Sequence, residues 1–214
     1  ESAIAQQVEY LDAAIAQKPA AICLAALDTQ ASLSSIQNAM DAGIPIIGFD
    51  SGVPDAPEGA IKANASTNNS EAGKLAADEM YKLISDKISS ADGTVRIGVV
   101  AQESNSQSIV ERTKGFVDEM VAKIGADKVS VEGHDSLKNE KAGAKVIIDV
   151  GIPAEVKDAD AAAVASALLE KSDLIAIYGS NEFAANAIIT ANEGLEKIGA
   201  DKVIAVGFDA GSKK

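Results

Sequence analysis

The chain has no tryptophan, one cysteine, one histidine and two arginines among its 214 residues, and each scarcity removes a class of function. The lone cysteine, Cys23, cannot close an intrachain disulfide, and in the apolar run AAICLAALD it is expected as a small core residue. The lone histidine, His134, has neither a second histidine nor a cysteine cluster with which to hold a metal. It also lacks a recognisable partner to orient it as a general base, so its polar setting predicts a solvated surface ring. A Gly-x-Gly-x-x-Gly turn, a P-loop and a Gly-x-Ser-x-Gly elbow are all missing. These absences predict a protein that is not an enzyme and uses no cofactor and no metal. Positive charge is scarce as well: 19 basic against 32 acidic residues give a net charge of −13, which repels nucleic acid and anionic membrane. With only Arg96 and Arg112 available, an arginine found at a site would carry unusual weight. No apolar run reaches the length of a bilayer span. The chain opens on Glu1 without a basic and apolar leader, so either there is no signal or it was removed upstream.

What the chain does have is an alternation of two hydrophobic patterns. Helical spacing recurs at Ile4, Val8, Leu11 and Ile15; at Leu33, Ile36 and Met40; at Ala72, Ala76, Met80 and Leu83; and at Ile109, Phe116 and Met120. It returns at Ala161, Val164, Ala165 and Leu168, and at Ala184, Ala187, Ile188, Ala191 and Leu195. Between these lie short apolar runs at 20–25, 44–48, 95–100, 144–150, 173–178 and 203–207. Runs without alternation predict strands buried on both faces, and strands alternating with helices predict an α/β fold of parallel sheets. Turn residues in DSGVPDAPEG and a polar cluster, NASTNNSEAG, place a crossing near Ser66, giving a partial N-terminal lobe at 1–66 and a C-terminal lobe at 67–214. The stretch 125–157 yields one strand, KVIIDV, and its first half gives no assignment. A doubly wound domain ordinarily opens on a strand and covers its last one, whereas this chain starts in a helix and stops after a strand, so a fragment is expected.

The most informative feature is a duplication. IPIIGFDSG at 44–52 is echoed by VIAVGFDAG at 203–211, so two strands each finish in Gly-Phe-Asp. Either aspartate alone reads as a turn former. Their matched context instead puts Asp50 and Asp209 at the carboxyl ends of strands, the edge where open α/β sheets bind ligands. A carboxylate there suits two adjacent hydroxyls of a polyol. Arg112 lies early in a helix after VRIGVVA, where a cation opposes the helix dipole and needs compensation, from a carboxylate or from sugar oxygens. Asn181 opens the helix NEFAANAII, where capping by it or by Ser180 competes with ligand contact. Asn68, Ser70 and Glu71 read as a helix cap, and Glu103, Asn105 and Ser108 show nothing beyond loop composition.

In order, GIPIIGFDSGV, ASTNNSEAGKLAA, SIVERTKGF, IYGSNEFAANAI and VIAVGFDAG resemble the periplasmic sugar-binding proteins of ribose-type ABC transporters, which share the type I periplasmic binding protein fold with the sensor domains of LacI-type repressors. The resemblance implies a two-lobed, Rossmann-like parallel-sheet fold, incomplete here. It implies ligand contacts from Asp50 and the adjacent Ser51 in the first lobe, and from Arg112, Asn181 and Asp209 in the second. Ribose binders carry an arginine where Ser51 stands, and 125–157 is longer than the family's strand and loop. The family's opening strand, its aromatic-bearing turn, the next helix and strand, and everything after Asp209 find no counterpart. With no tryptophan either, a sugar-stacking platform is not visible. The implied function is an extracytoplasmic receptor, periplasmic or membrane-anchored, monomeric, closing on a monosaccharide or polyol and docking on an ABC permease, with no nucleic acid partner. The effector domain of a LacI-type regulator is the alternative. A small flavodoxin-like or Rossmann enzyme stands third, disfavoured by the missing phosphate loop.

Overall fold

The computed structural model describes residues 2–209. The chain folds into two compact units, one running through Asn69 and taking in Asn105–Val110, the other made of Ser70–Ser104 and the chain from Glu111 onward.

The first unit has a parallel sheet in the order β1 (Ile22–Leu24), β2 (Ile46–Phe49), β3 (Ile61–Ala65). Helices α1 (Ala3–Ala16) and α2 (Leu33–Asp41) contribute Leu11, Ile36 and Ala39 to a core with Ile22, Leu24, Ile44 and Ile46. These strands are covered on one face only, against the expectation of burial on both. Cys23 is therefore exposed rather than a core residue: it lies between Ile22 and Leu24, so the pleat turns it away from the helices. The sequence reading also missed β3, whose Lys62 and Asn64 are exposed and which carries no apolar run.

The second unit is a five-stranded parallel sheet in the order β5-β6-β4-β7-β8, with β4 (Val95–Val100) at its centre. The other strands are β5 (Val129–Glu132), β6 (Val146–Gly151), β7 (Leu174–Gly179) and β8 (Ile204–Gly207). One face packs on α3 (Asn69–Ser90) and α4 (Gln107–Ile124) through Met80, Ile84, Phe116 and Met120. The other packs on α5 (Asp158–Leu169) and α6 (Glu182–Leu195) through Ala165, Leu168, Ala187 and Ile188. The buried stripe of α3 runs through Ala77, Met80, Ile84 and Ile88, which leaves the expected Leu83 exposed. Both faces of β4 are covered, as the nearly uninterrupted apolar run VRIGVV implies.

Arg96, on β4, is spent on structure. Its guanidinium meets Asp149 at 2.8 Å, Glu132 at 3.3 Å and Asp173 at 3.2 Å, while Lys171 also pairs with Asp149 at 2.6 Å. Three carboxylates around one largely buried guanidinium satisfy its donors, as buried charge requires.

The stretch left unassigned contains β5 and a turn in which Gly133, at φ +81, lets the chain reverse; a Cβ there would sit 2.1 Å from the Val150 carbonyl oxygen. This reversal buries His134 to 7% exposure, contrary to the expected surface ring. Its carbonyl accepts from the Leu137 and Lys138 amides, and Nδ1 lies 3.2 Å from Ser136 Oγ. Burial lowers the imidazole pKa below its usual value, with Asp135 acting in the opposite sense. The folded state therefore favours the neutral ring, so the stability it contributes is complete above about pH 6.5 and is lost as pH falls through the lower folded value. Thermal unfolding followed between about pH 7 and pH 5 is expected to show a decline that His134→Gln flattens.

Candidate ligand site

Because every strand pairing within each sheet is parallel, carboxyl ends share one edge in each unit. In the first unit that edge carries Asp50, exposed and in the left-handed region at φ 57, its amide donating to the Ala65 carbonyl at 3.0 Å. Ser51 is 4% exposed. Its hydroxyl accepts from the Ser108 amide in the first turn of α4 at 3.3 Å, and its carbonyl accepts from Ala26. The segment that contains Ser108 is held to the same unit again where Thr29 donates to the Asn105 carbonyl at 3.0 Å.

In the second unit, Asp209 follows β8 as Asp50 follows β2 and is also exposed and left-handed, at φ 69. The duplicated tripeptide thus repeats a backbone conformation as well as a sequence. Aspartate tolerates this region better than most residues, and backbone held there clusters at ligand clamps. The residues Ala210 and Gly211 of the second copy lie outside the described residues. One Asp209 carboxylate oxygen accepts from the Glu182 amide at 3.3 Å, at the start of α6.

Asn181 caps that helix, its Oδ1 accepting from the Ala184 amide at 3.0 Å while Nδ2 donates to Gln102 Oε1 at 2.8 Å. The second bond joins the loops after β4 and β7, neighbouring strands whose chains leave for opposite faces of the sheet, α4 on one and α6 on the other. This is the topological switch point at which such sheets form a crevice.

Arg112, from the motif R-x-x-G-F, is 7% exposed. One arm donates to the Ser180 carbonyl at 2.8 Å, and the guanidinium carbon sits 3.7 Å above the centre of the Phe208 ring. The carbonyl and the ring face supply the compensation that its place near a helix start demands, the cation–π contact contributing roughly 0.5–2 kcal/mol. One turn further along α4, Phe116 stacks on Tyr178 of β7, with centroids 4.1 Å apart and planes 8° from parallel. Positions i and i+4 of one helix face thus lie on rings from two neighbouring strands. The glycine of the motif has its own reason: a Cβ at Gly115 would lie 2.2 Å from the Ser70 carbonyl oxygen, and one at Gly73 would lie 2.1 Å from that of Arg112. Both helices approach backbone to backbone, which seats α4 deeply enough for Arg112 to lie on the ring.

Sequence reading named Asp50, Ser51, Arg112, Asn181 and Asp209; the last three meet at one edge of the second unit. It missed Gln102, Tyr178, Phe208 and Gly73. Phe208 carried a signal, since it belongs to the repeated tripeptide, but its counterpart Phe49 is 46% exposed, so the repeat does not predict the arginine's seat.

Each unit is a parallel α/β sheet with an acidic, left-handed turn at a strand end, the edge at which such sheets bind ligands. The chain belongs to the periplasmic binding protein domain family, whose sequence pattern matches residues 1–214. Solved structures agree. An ABC transporter solute-binding protein from Agrobacterium vitis with bound D-fucose is 28% identical, with a TM-score of 0.75 over 97% of this chain and 62% of that one. A protein from Brachyspira murdochii described as an ABC transporter, LacI family transcriptional regulator is also 28% identical, with a TM-score of 0.75 over 98% of this chain and 65% of that one. A carbohydrate transporter solute-binding protein from Agrobacterium radiobacter in complex with D-arabinose shares the fold at 24% identity, with a TM-score of 0.75 over 99% and 63%. The chain therefore spans less than two thirds of the length of these proteins. No curated protein matches it in sequence. Among the described residues no helix is long and apolar enough to cross a membrane.

Proposed function

We propose that the protein is an extracytoplasmic receptor that binds a monosaccharide or related polyol without transforming it and delivers it to an ABC permease. Asp50 of the first unit and Arg112, Asn181 and Asp209 of the second are the proposed contacts, with Ser51 a support that ties the Asp50 turn to Ser108. The observation that carries this reading is the duplicated Gly-Phe-Asp turn, which presents an exposed carboxylate in the same left-handed conformation at the strand ends of each unit. A carboxylate accepting from vicinal hydroxyls and a planar guanidinium donating to ring or hydroxyl oxygens form the bonds that a sugar offers, each contributing about 1.5–3 kcal/mol. A few of them reach the roughly −8 kcal/mol of a micromolar complex after the costs of association. The D-fucose complex of the Agrobacterium vitis protein supports this choice of ligand class.

Isothermal titration against D-fucose, D-arabinose and a panel of further pentoses, hexoses and polyols tests it. At least one sugar is expected to bind at micromolar concentration and to be recovered unchanged; no binding across the panel, or a chemically altered sugar, refutes the reading. The regulator named among the similar structures keeps a second reading in view, the effector domain of a LacI-type protein. The two separate on the partner, since a receptor binds its permease and a regulator binds DNA.

A further inference from the structure

At the switch point of the second unit, one backbone hydrogen sets the orientation of two side-chain amides. The Ala184 amide can only donate, so the Asn181 atom 3.0 Å from it is the oxygen, Oδ1. The other end of that group is then the amino nitrogen, and the Gln102 atom 2.8 Å from it must accept, which makes it Oε1. Asn181 gives one Nδ2 hydrogen to Gln102 and keeps the second. Both side chains are half-buried, and among the described residues the Gln102 side chain makes no other hydrogen bond. Capping does not require this bond, since a cap needs only Oδ1. Joining the loops does not require it either: β4 and β7 are already paired up to Val100 and Gly179, and the Ser180 amide donates to the Val100 carbonyl at 3.0 Å. What the Gln102 bond adds is a second restraint on the Asn181 amide, at the end opposite the cap, which fixes its plane.

Resting on the reading of Asn181 as a sugar contact, we propose that Gln102 is a positioning residue which locks the Asn181 amide so that its remaining N–H meets the sugar as a donor. Asn181 makes the contact, and Gln102 acts through it. The position therefore selects a hydroxyl or ring oxygen that accepts.

A double-mutant cycle, read by calorimetry with the best-binding sugar of the panel, tests this. Gln102→Met keeps the reach of the side chain and removes the acceptor, while Asn181→Ser keeps a capping oxygen for Ala184 and removes the amide. Gln102→Met is expected to weaken binding about three- to tenfold in the parent protein and by less than about twofold in Asn181→Ser, where no amide is left to orient. Gln102→Glu, which retains an acceptor of equal reach, is expected to recover most of that loss. Equal losses in both backgrounds, or none in the parent protein, overturn the proposal. So does a loss in Gln102→Glu as large as in Gln102→Met, because the sugar's donor would then be a Gln102 N–H. A nitrogen-15 spectrum reads the same coupling without sugar. The side-chain signal pair missing from Asn181→Ser belongs to Asn181, and in Gln102→Met it is expected to shift and to exchange with water several-fold faster while the Ala184 backbone amide keeps its place. An unmoved pair overturns the proposal, and so does a shift that extends to Ala184, which reports a lost cap. If the pair moves as expected and no sugar binds the parent protein, the sugar-receptor reading fails while the orientation of Asn181 by Gln102 stands.

Discussion

Arg112→Ala is expected to weaken sugar binding about a hundredfold or more while leaving the unit folded. A buried hydrogen bond to a charged group contributes about 1.5–3 kcal/mol, and its loss also leaves the acceptor unpaired. Here the loss strands the Ser180 carbonyl and uncovers the Phe208 ring as well as removing the proposed donors to the sugar. Arg112→Lys is expected to recover little, since an ammonium neither lies flat on a ring nor forks toward two oxygens. Asp209→Ala should fall in the same range, and it also removes the acceptor of the Glu182 amide. Calorimetric affinities alongside circular dichroism of each variant check this. An unchanged affinity for Arg112→Ala removes the arginine from the site.

Gly115→Ala is expected to damage the same site from behind. The added methyl would stand 2.2 Å from the Ser70 carbonyl oxygen and 3.0 Å from the Ser70 Cα and carbonyl carbon, all backbone, so no side-chain rotation can absorb it. Helices α3 and α4 must part, and Arg112 and Phe116 then lift from Phe208 and Tyr178. Overpacking of this kind costs about 1–3 kcal/mol, and the misplaced guanidinium should lose a further tenfold or more in affinity. Gly194→Ala is the control: it lies in α6 with nothing within 4 Å of the new methyl, so helix propensity alone should leave it neutral or more stable by roughly 0.5–1 kcal/mol. Urea denaturation of the two variants should move the midpoint in opposite directions.

The parts of this architecture legible in the sequence are those whose signal is local. Six helices announced themselves by spacing, and the buried strands by nearly uninterrupted apolar runs such as VRIGVV. Strand β3 was silent because Lys62 and Asn64 face solvent, and β5 because turn residues surround it. Cys23 and His134 were misplaced for one reason. Burial there is decided by which sheet face is covered and by where Gly133 turns the chain, and neither is written in the composition of nearby residues. Of the proposed contacts, the aspartates stand out in the sequence because they repeat, and Arg112 because arginine is rare. The partners that give Arg112 its geometry come from β7, β8 and α3, up to roughly a hundred residues away, and only folding brings them to it.

Hydrogen–deuterium exchange of the chain with and without its best-binding sugar tests the central claim most directly. The account predicts slower exchange on binding at both Gly-Phe-Asp turns, 48–52 and 207–209, and at 180–182, with the α3–α4 crossing already slow. Binding that protects neither turn, or that slows exchange only at segments remote from the strand ends, would contradict it.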